Sequence, residues 1–352
     1  METTFELLKA FTEAPGPSGR ESTTSAVIAE RWRPLADDIR TDALGNLIAL
    51  QRGSGPEPRP ALMLAAHMDE IGLIVTGIEG DFLRVHAVGG IDRRVLLGLE
   101  VIVHGKRALP GLIGTRPPHV LSQEERSKTI AWHELFVDVG LPADEVAALV
   151  RIGDIVTVDR ELAALKNDRV AGKALDDRAC VVAVTLALQA LRHRAHAWDV
   201  YAVATVQEEV GLFGAITSAF GLAPDIAVAL DVTFGQQHND ADPGTFALDK
   251  GPTIALGPNF HPQVVERLKA AAKAEEIPYQ PEPVSGGSGT DAWGIQVARE
   301  GIPTGLVELP LRYMHQPVET AAIRDVERAG RLITSFADRL EPDFRPRWED
   351  EV

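Results

Sequence analysis

The chain has 352 residues, 45% of them hydrophobic and 24% charged, as in globular proteins with a sizeable core. Its formal net charge of −16 argues against a nucleic-acid partner, because binding to phosphate backbones depends on a basic surface. The single cysteine, Cys180, excludes an intrachain disulfide and a zinc site built from thiolates. The sequence shows no signal peptide and no apolar run of membrane-spanning length, so we expect a cytoplasmic protein without a membrane partner.

The first part of the chain has helical periodicity followed by strand-like runs. Amphipathic helices are predicted over residues 3–12 and 21–35, separated by a turn rich in proline and glycine. A hairpin-like strand pair is predicted within residues 42–50. The continuous apolar run 61–66 predicts a buried strand.

The pattern changes between residues 73 and 163. Short β-like segments alternate there with Gly and Pro turns, and one polar helix is predicted around residues 122–134. This pattern of short strands and turns is typical of a small β-barrel or sandwich. We therefore predict two domains: a discontinuous one formed by residues 1–72 and 164–352, and a β-rich domain inserted at 73–163.

After residue 164 helices and strands alternate again. Helices are predicted at 176–192, from about 212, at 262–275, at 291–298 and at 319–340. Strands are predicted at 200–206, 226–230, 253–256 and 304–309. Alternation of this kind is typical of an α/β domain.

Acidic and histidine side chains stand where several of these elements end or begin. In chain order they are His67, Asp69, Asp176, Glu208, Glu209, Asp231 and His315. Ligands of open α/β sheets bind beyond the carboxyl ends of the strands, so these side chains are expected to converge. Burying an unpaired carboxylate costs several kcal/mol, and coordination of a metal ion offsets that cost.

Two histidines with three or four carboxylates form a ligand set without sulfur, which suits Zn, Co or Mn. Each residue alone also has a structural explanation. His67 is then a structural histidine, the Glu208–Glu209 pair complements a helix dipole, and Asp176 is a helix N-cap. Because all of them occur together at predicted element ends, the sequence favours a centre with two metal ions.

Five segments resemble, in the same order, the M42 family of metallo-aminopeptidases, the tetrahedral aminopeptidases with glutamyl, leucyl and lysyl members. They are AAHMDEIG at 65–72, ALDDR at 174–178, VQEEVG at 206–211, ALDVT at 229–233 and RYMHQPVE at 312–319. The resemblance covers nearly the whole chain and departs at Gln316, where a serine is expected. It implies a mixed-sheet α/β/α catalytic domain of the zinc-peptidase type and an inserted β-barrel-like domain for dimerisation. It also implies that dimers assemble into a hollow tetrahedral dodecamer that admits short peptides.

The resemblance assigns metal ligands to this sequence. His67 and Asp231 would bind one divalent ion, and Glu209 and His315 would bind the second. Asp176 would bridge the two ions, with zinc expected and cobalt or manganese possible as replacements.

The resemblance also implies roles around these ligands. Glu208 would be the general base, and Asp69 would orient His67 through its other ring nitrogen. The Asp176–Asp177 peptide is often cis in such enzymes. The expected reaction is removal of the N-terminal residue from short peptides.

Two alternatives stay open. A related two-metal amidohydrolase, such as a dipeptidase, carboxypeptidase or deacylase, would share this cage of ligands. A non-catalytic metal-binding assembly protein is the other, although Glu208 argues against it because a structural site has no use for a spare base. The glycine-rich segment SGGSGTD at 285–291 lacks the lysine of a phosphate-binding loop, which favours a pocket wall or a helix N-terminus.

Overall fold

A central mixed sheet and a separate β-barrel organise the chain, whose computed structural model describes residues 2–239 and 242–346. Within these ranges the helices are α1 (Thr4–Glu13), α2 (Ser22–Trp32), α3 (Gln123–Arg126), α4 (Ala143–Leu149), α5 (Leu175–Leu191), α6 (Phe213–Leu222), α7 (Pro262–Ala274), α8 (Asp291–Gln296) and α9 (Ile323–Asp338).

The same ranges contain seventeen strands. They are β1 (Asp38–Thr41), β2 (Leu47–Gln51), β3 (Ala61–His67), β4 (Gly72–Glu79), β5 (Phe82–Val88), β6 (Glu100–His104), β7 (Ala108–Gly114), β8 (Phe136–Asp138), β9 (Ile155–Val158), β10 (Ala163–Leu165), β11 (Arg169–Gly172), β12 (Asp199–Thr205), β13 (Ile226–Phe234), β14 (Thr253–Leu256), β15 (Gln280–Pro283), β16 (Thr304–Leu311) and β17 (Glu319–Ala322).

The central sheet has eight strands in the order β1-β2-β12-β3-β13-β16-β14-β15. The four middle strands, β12, β3, β13 and β16, run parallel to one another. Strand β2 is antiparallel to both of its neighbours, whereas β14 is antiparallel to β16 and parallel to β15. Residues of β3 and β13 are buried on both faces, which explains their continuous apolar runs. The carboxyl ends of these parallel strands therefore meet at one edge of the sheet.

The barrel is closed and has six strands in the order β4-β5-β8-β7-β6-β9. It has a hydrophobic cluster of its own, distinct from the cluster around the central sheet. A small third sheet joins β10, β11 and β17. The predicted fold class, a mixed-sheet α/β domain with a β-barrel, is confirmed. No helix in the described ranges is long and apolar enough to cross a membrane.

Several predicted elements differ from the structure, and three of the differences have a clear physical reason. The predicted helix 319–340 was wrong in its first turn, because residues 319–322 form β17 and pair with β11. The predicted polar helix 122–134 is reduced to α3 and a 3₁₀ turn at 132–134, since its mostly exposed residues offer no apolar face to bury. The strand pair predicted within 42–50 lies at 38–41 and 47–51, because the Asp42 side chain accepts three backbone N–H bonds and forms the turn.

Candidate metal centre and active site

The predicted site residues come together at the carboxyl edge of the parallel strands. His67 is the last residue of β3, and Glu208 and Glu209 follow β12 in the loop before α6. Asp231 lies inside β13 rather than after it, because that strand continues to Phe234 instead of ending at residue 230. His315 lies in the loop between β16 and β17.

Asp176 lies between the two histidines. Its Oδ1 atom is 3.0 Å from His67 Nε2, and its Oδ2 atom is 3.5 Å from His315 Nε2. His315 Nε2 is also 3.5 Å from Glu209 Oε2, and His67 Nε2 is 4.0 Å from Asp231 Oδ1. The Asp176 carboxylate therefore directs one oxygen towards the His67–Asp231 pair and the other towards the His315–Glu209 pair.

Two overlapping groups have the geometry of a metal site. In each group, one ligand atom from every residue lies within 4.8 Å of the others: His67 with Asp176 and Glu209, and His67 with Asp177 and Asp231. Asp177 is absent from the predicted ligand set, although it follows Asp176 in the sequence. Both of its buried carboxylate oxygens lack a hydrogen-bond partner, and the peptide bond between the two aspartates is cis, as the resemblance implies.

Asp69 holds the loop that carries the two glutamates. Its carboxylate accepts hydrogen bonds from the backbone N–H groups of Glu208 and Glu209, at 3.1 and 3.2 Å, and from the Ser18 hydroxyl at 2.6 Å. His67 Nδ1 lies 3.4 Å from Asp69 Oδ1 and 3.2 Å from the backbone oxygen of Asp69. Asp69 therefore contacts the predicted ring nitrogen and fixes the backbone of the glutamate loop as well.

Glu319 was missed by sequence reasoning. Its buried carboxylate accepts the backbone N–H of Asp176 at 3.1 Å and that of His315 at 3.0 Å, so it positions a residue on α5 and one in the last loop. The available signal was its place four residues after His315, at the end of the RYMHQPVE segment.

Burial controls the charge of the carboxylates. It raises the pKa of Glu208 to about 10 and that of Asp231 to about 8, with neighbouring carboxylates adding to the shift. The pKa of Glu209 is raised well above its ordinary value for the same reason. Burial lowers the pKa of His67, but hydrogen bonds to Asp176 and Asp69 outweigh this and hold it well above its usual range.

These shifts show a cluster with more negative charge than its surroundings stabilise. Divalent cations would supply the missing positive charge, and the nitrogen and oxygen donors are those that Zn, Co and Mn accept. The residues present therefore fit a divalent-metal centre.

A cavity of about 380 Å³ opens onto these residues. Its lining comprises Asp176, Glu208, Glu209, Asp231, Val232, Thr233, Phe234, Glu282, Val284, Ser288, Gly289, Thr290, Glu308, Met314 and His315. The glycine-rich segment contributes part of the wall, and Thr290 directly precedes α8, as the sequence predicted. Two further buried carboxylates that the sequence did not single out, Asp291 and Glu308, each have an oxygen without a hydrogen-bond partner.

Comparison with known proteins identifies a family and several similar proteins for this chain. Residues 45–332 match the family described as M42 glutamyl aminopeptidase. A lysyl aminopeptidase of Pyrococcus furiosus is 38% identical, over 97% of this chain and 99% of that one. The structure of an aminopeptidase from the archaeon Desulfurococcus kamchatkensis has a TM-score of 0.89 at 40% identity, covering 97% of this chain and 96% of that one.

A second solved structure is also similar. The TET1 peptidase of Pyrococcus horikoshii, which can assemble into a tetrahedron or a large octahedral shell, has a TM-score of 0.85 at 34% identity, over 96% of this chain and 100% of that one. The fold, the acidic site and these matches define a peptide hydrolase. The chain belongs to the M42 family of aminopeptidases.

Proposed function

We propose that this protein is a co-catalytic two-metal aminopeptidase that hydrolyses the N-terminal residue from short peptides. The observation that carries the proposal is the position of Asp176, whose two carboxylate oxygens face two different histidines. A carboxylate in that position suits two ions held side by side.

In this proposal the ligands divide between two divalent ions, with zinc expected and cobalt or manganese able to replace it. His67 and Asp231 would hold one ion, Glu209 and His315 would hold the other, and Asp176 would serve both. The overlapping group that contains Asp177 supports the first ion, because Asp177 adds negative charge next to His67 and Asp231. When bound, the ions supply Lewis-acid chemistry, polarising the carbonyl of the scissile peptide bond.

Glu208 is the proposed general base. Its Oε2 atom lies 3.8 Å from His67 Nε2, it lines the cavity, and its backbone N–H is held by Asp69. Burial raises its pKa, and nearby cations would lower that pKa towards neutrality, where a group can both accept and return a proton. Glu208 would take a proton from the attacking water and donate it to the leaving amine.

The preference for a free N-terminus follows from the charge of the site. A protonated or metal-directed α-amino group is favoured among so many carboxylates, whereas a substrate carboxylate would be repelled. The names of the similar proteins, a lysyl aminopeptidase and an aminopeptidase, support the same choice. A carboxypeptidase would need a cationic group to receive the substrate carboxylate, and the described cavity lining contains neither Lys nor Arg.

We also propose that the barrel, within residues 73–163, mediates dimerisation, and that residues 1–72 and 164–352 form the catalytic domain. Phe82 on β5 and Leu112 on β7 are exposed and lie on either side of Asp138 of β8 in register. The similarity to a TET1 peptidase that forms a tetrahedron or an octahedral shell supports assembly of the dimers into a tetrahedral dodecamer.

The test is hydrolysis of amino-acid p-nitroanilides and their N-acetylated forms by the metal-loaded protein. We expect release from the free-amine substrates only, and a loss of kcat of about 10²–10⁴-fold in Glu208→Gln. Glu300→Gln, the same change at an exposed carboxylate away from the cavity lining, serves as the control. Cleavage of the acetylated forms at equal rates would point to a deacylase or another amidohydrolase instead.

A further inference from the structure

The cavity continues from the metal ligands to a second acidic group. Asp231 on β13 is the register partner of Glu308 on the parallel strand β16. Partners in register lie on the same face of a sheet, about 5 Å apart. Glu282, on β15 at the edge of the sheet, lines the same cavity. The cavity therefore contains a second acidic group, Glu308 and Glu282, next to the metal ligand Asp231.

Glu282 and Glu308 differ in how their oxygens are satisfied. The two oxygens of Glu282 accept hydrogen bonds from the hydroxyl groups of Thr233 and Thr253, at 2.7 and 2.6 Å. Glu308 is only 5% exposed, and its Oε2 atom has no hydrogen-bond partner. Burial and the adjacent Glu282 raise the pKa of Glu308 well above its ordinary value. The pair thus lacks a donor, which a proton or a cation from the cavity can provide.

Four apolar side chains also line this cavity. Val232, Phe234, Val284 and Met314 contribute to the lining, and the lining has no Lys or Arg in the described part of the chain to neutralise the glutamates. A cavity that combines apolar side chains with a buried, unpaired acceptor and no Lys or Arg fits a hydrocarbon chain with a terminal cation. The lysine side chain has that form, with four methylenes and an ammonium group that donates three hydrogen bonds.

We propose that Glu308, with Glu282, forms the end of the pocket that receives the side chain of the residue being removed, and selects peptides that begin with a basic residue. This inference rests on the proposed aminopeptidase function. An N-terminal glutamate would place a third carboxylate beside the pair and is disfavoured. The description of the family as glutamyl aminopeptidases therefore does not fix the preference of this chain.

The test compares kcat/KM for lysyl, norleucyl and glutamyl p-nitroanilides. Norleucine has the lysine chain without the ammonium, so the lysyl-to-norleucyl ratio isolates the charge. We expect that ratio to exceed about tenfold and to fall by about tenfold or more in Glu308→Gln, because the variant replaces a charge-assisted hydrogen bond to the ammonium group with a neutral one. The control Glu300→Gln should leave the ratio as it is in the unaltered protein.

A binding measurement gives a readout that does not depend on turnover. Calorimetric titration of the metal-loaded protein should show tighter binding of L-lysine than of L-norleucine, and a smaller difference in Glu308→Gln. If that variant does not fold, the lysyl-to-norleucyl ratio and the two affinities of the unaltered protein decide the question.

The outcomes separate this inference from the function on which it rests. Hydrolysis of norleucyl and lysyl substrates at equal rates, or a ratio unchanged in folded Glu308→Gln, would overturn the pocket assignment and leave an aminopeptidase. No hydrolysis of any free-amine substrate by the folded, metal-loaded protein would overturn both.

Discussion

The carboxylates around His67 lie where water solvates their charges poorly. Asp177 and Asp231 are both buried beside that ring, and neither Asp177 oxygen has a hydrogen-bond partner. A protein that folds with such groups must protonate them or bind cations. The poorly solvated carboxylates of the metal-free site are therefore also the reason to expect divalent ions there.

The pH dependence of stability follows from Asp231. Its pKa is raised by burial from 3.8 to about 8, so between these values the folded metal-free protein holds a proton that the unfolded chain releases. The free energy of unfolding therefore falls as pH rises through this window, because the folded state binds more protons. With metal bound the trend should reverse, since the ligands must then be ionised.

Urea unfolding from about pH 5 to about pH 8, with a chelator and with excess zinc, measures this effect. Asp231→Asn should make the decline of the chelated protein shallower, and the raised pKa values of Glu208 and Glu209 should preserve the rest of it. A chelated protein whose stability is constant or rises across this range would contradict the assignment of a buried, protonated Asp231.

Some residues of the site can be predicted from the local sequence pattern, whereas others depend on how distant strands pair. His67, Glu208 and Glu209 follow apolar runs, so their place at a strand end can be read from local pattern. Glu319 begins β17 and Glu308 lies inside β16, and their relation to the site comes from strand pairing and sheet order. Local pattern carries no information on which distant strand will be a neighbour, so these two carboxylates could not be placed.

At the scale of elements, the turn between β12 and α6 positions the two catalytic-site glutamates. Gly214, in the first turn of α6, donates its N–H to the backbone oxygen of Val206 at 3.0 Å. A Cβ atom on this residue would overlap backbone atoms of Val206 and the side-chain oxygen of Asn46. The close approach of helix and strand is therefore possible only with glycine here.

Gly214→Ala should destabilise the protein by about 1–3 kcal/mol and lower kcat, because the helix must move and carry the glutamate loop with it. Gly221→Ala on the same helix is the matched control, since its Cβ would have no atom within 4 Å. That control should be neutral or stabilise by about 0.4–1 kcal/mol. Chemical denaturation and activity of both variants check the expectation, and equal behaviour of the two would refute it.

Element boundaries were predicted less well than element types. The segment 319–340 has the apolar spacing of a long helix, yet its first residues pair with β11 through the Thr320–Ala171 and Glu319–Gly172 positions. Strand pairing with a partner almost 150 residues earlier overrides local helical periodicity. The same pairing places Glu319 where it can accept bonds from Asp176 and His315.

For the whole molecule, one hydrophobic cluster belongs to the body that carries the site, and a second cluster belongs to the barrel. The barrel strands contain none of the predicted metal ligands. We propose that the exposed side chains of Phe82 and Leu112 on the barrel belong to the surface that another subunit covers. The proposed assembly would confine the acidic cavities to an enclosed space and so restrict substrates to short peptides.

Mass photometry tests the barrel's part in assembly. The unaltered protein should have a mass many times the 38.0 kDa of one chain, and Leu112→Asp should shift it to smaller species. Leu165→Asp changes an exposed leucine on β10, outside the barrel, and should leave the mass unchanged. A large assembly that survives Leu112→Asp and Phe82→Asp together would assign dimerisation to another surface.

The most direct test of the two-metal account is a metal titration of the stripped protein, with bound ions counted by elemental analysis and activity measured on a free-amine substrate. We expect full activity only when about two ions are bound per chain, and His315→Ala should lose the second ion and most of the activity. Full activity with a single ion, or a folded protein that binds two ions and hydrolyses no free-amine substrate, would contradict the account.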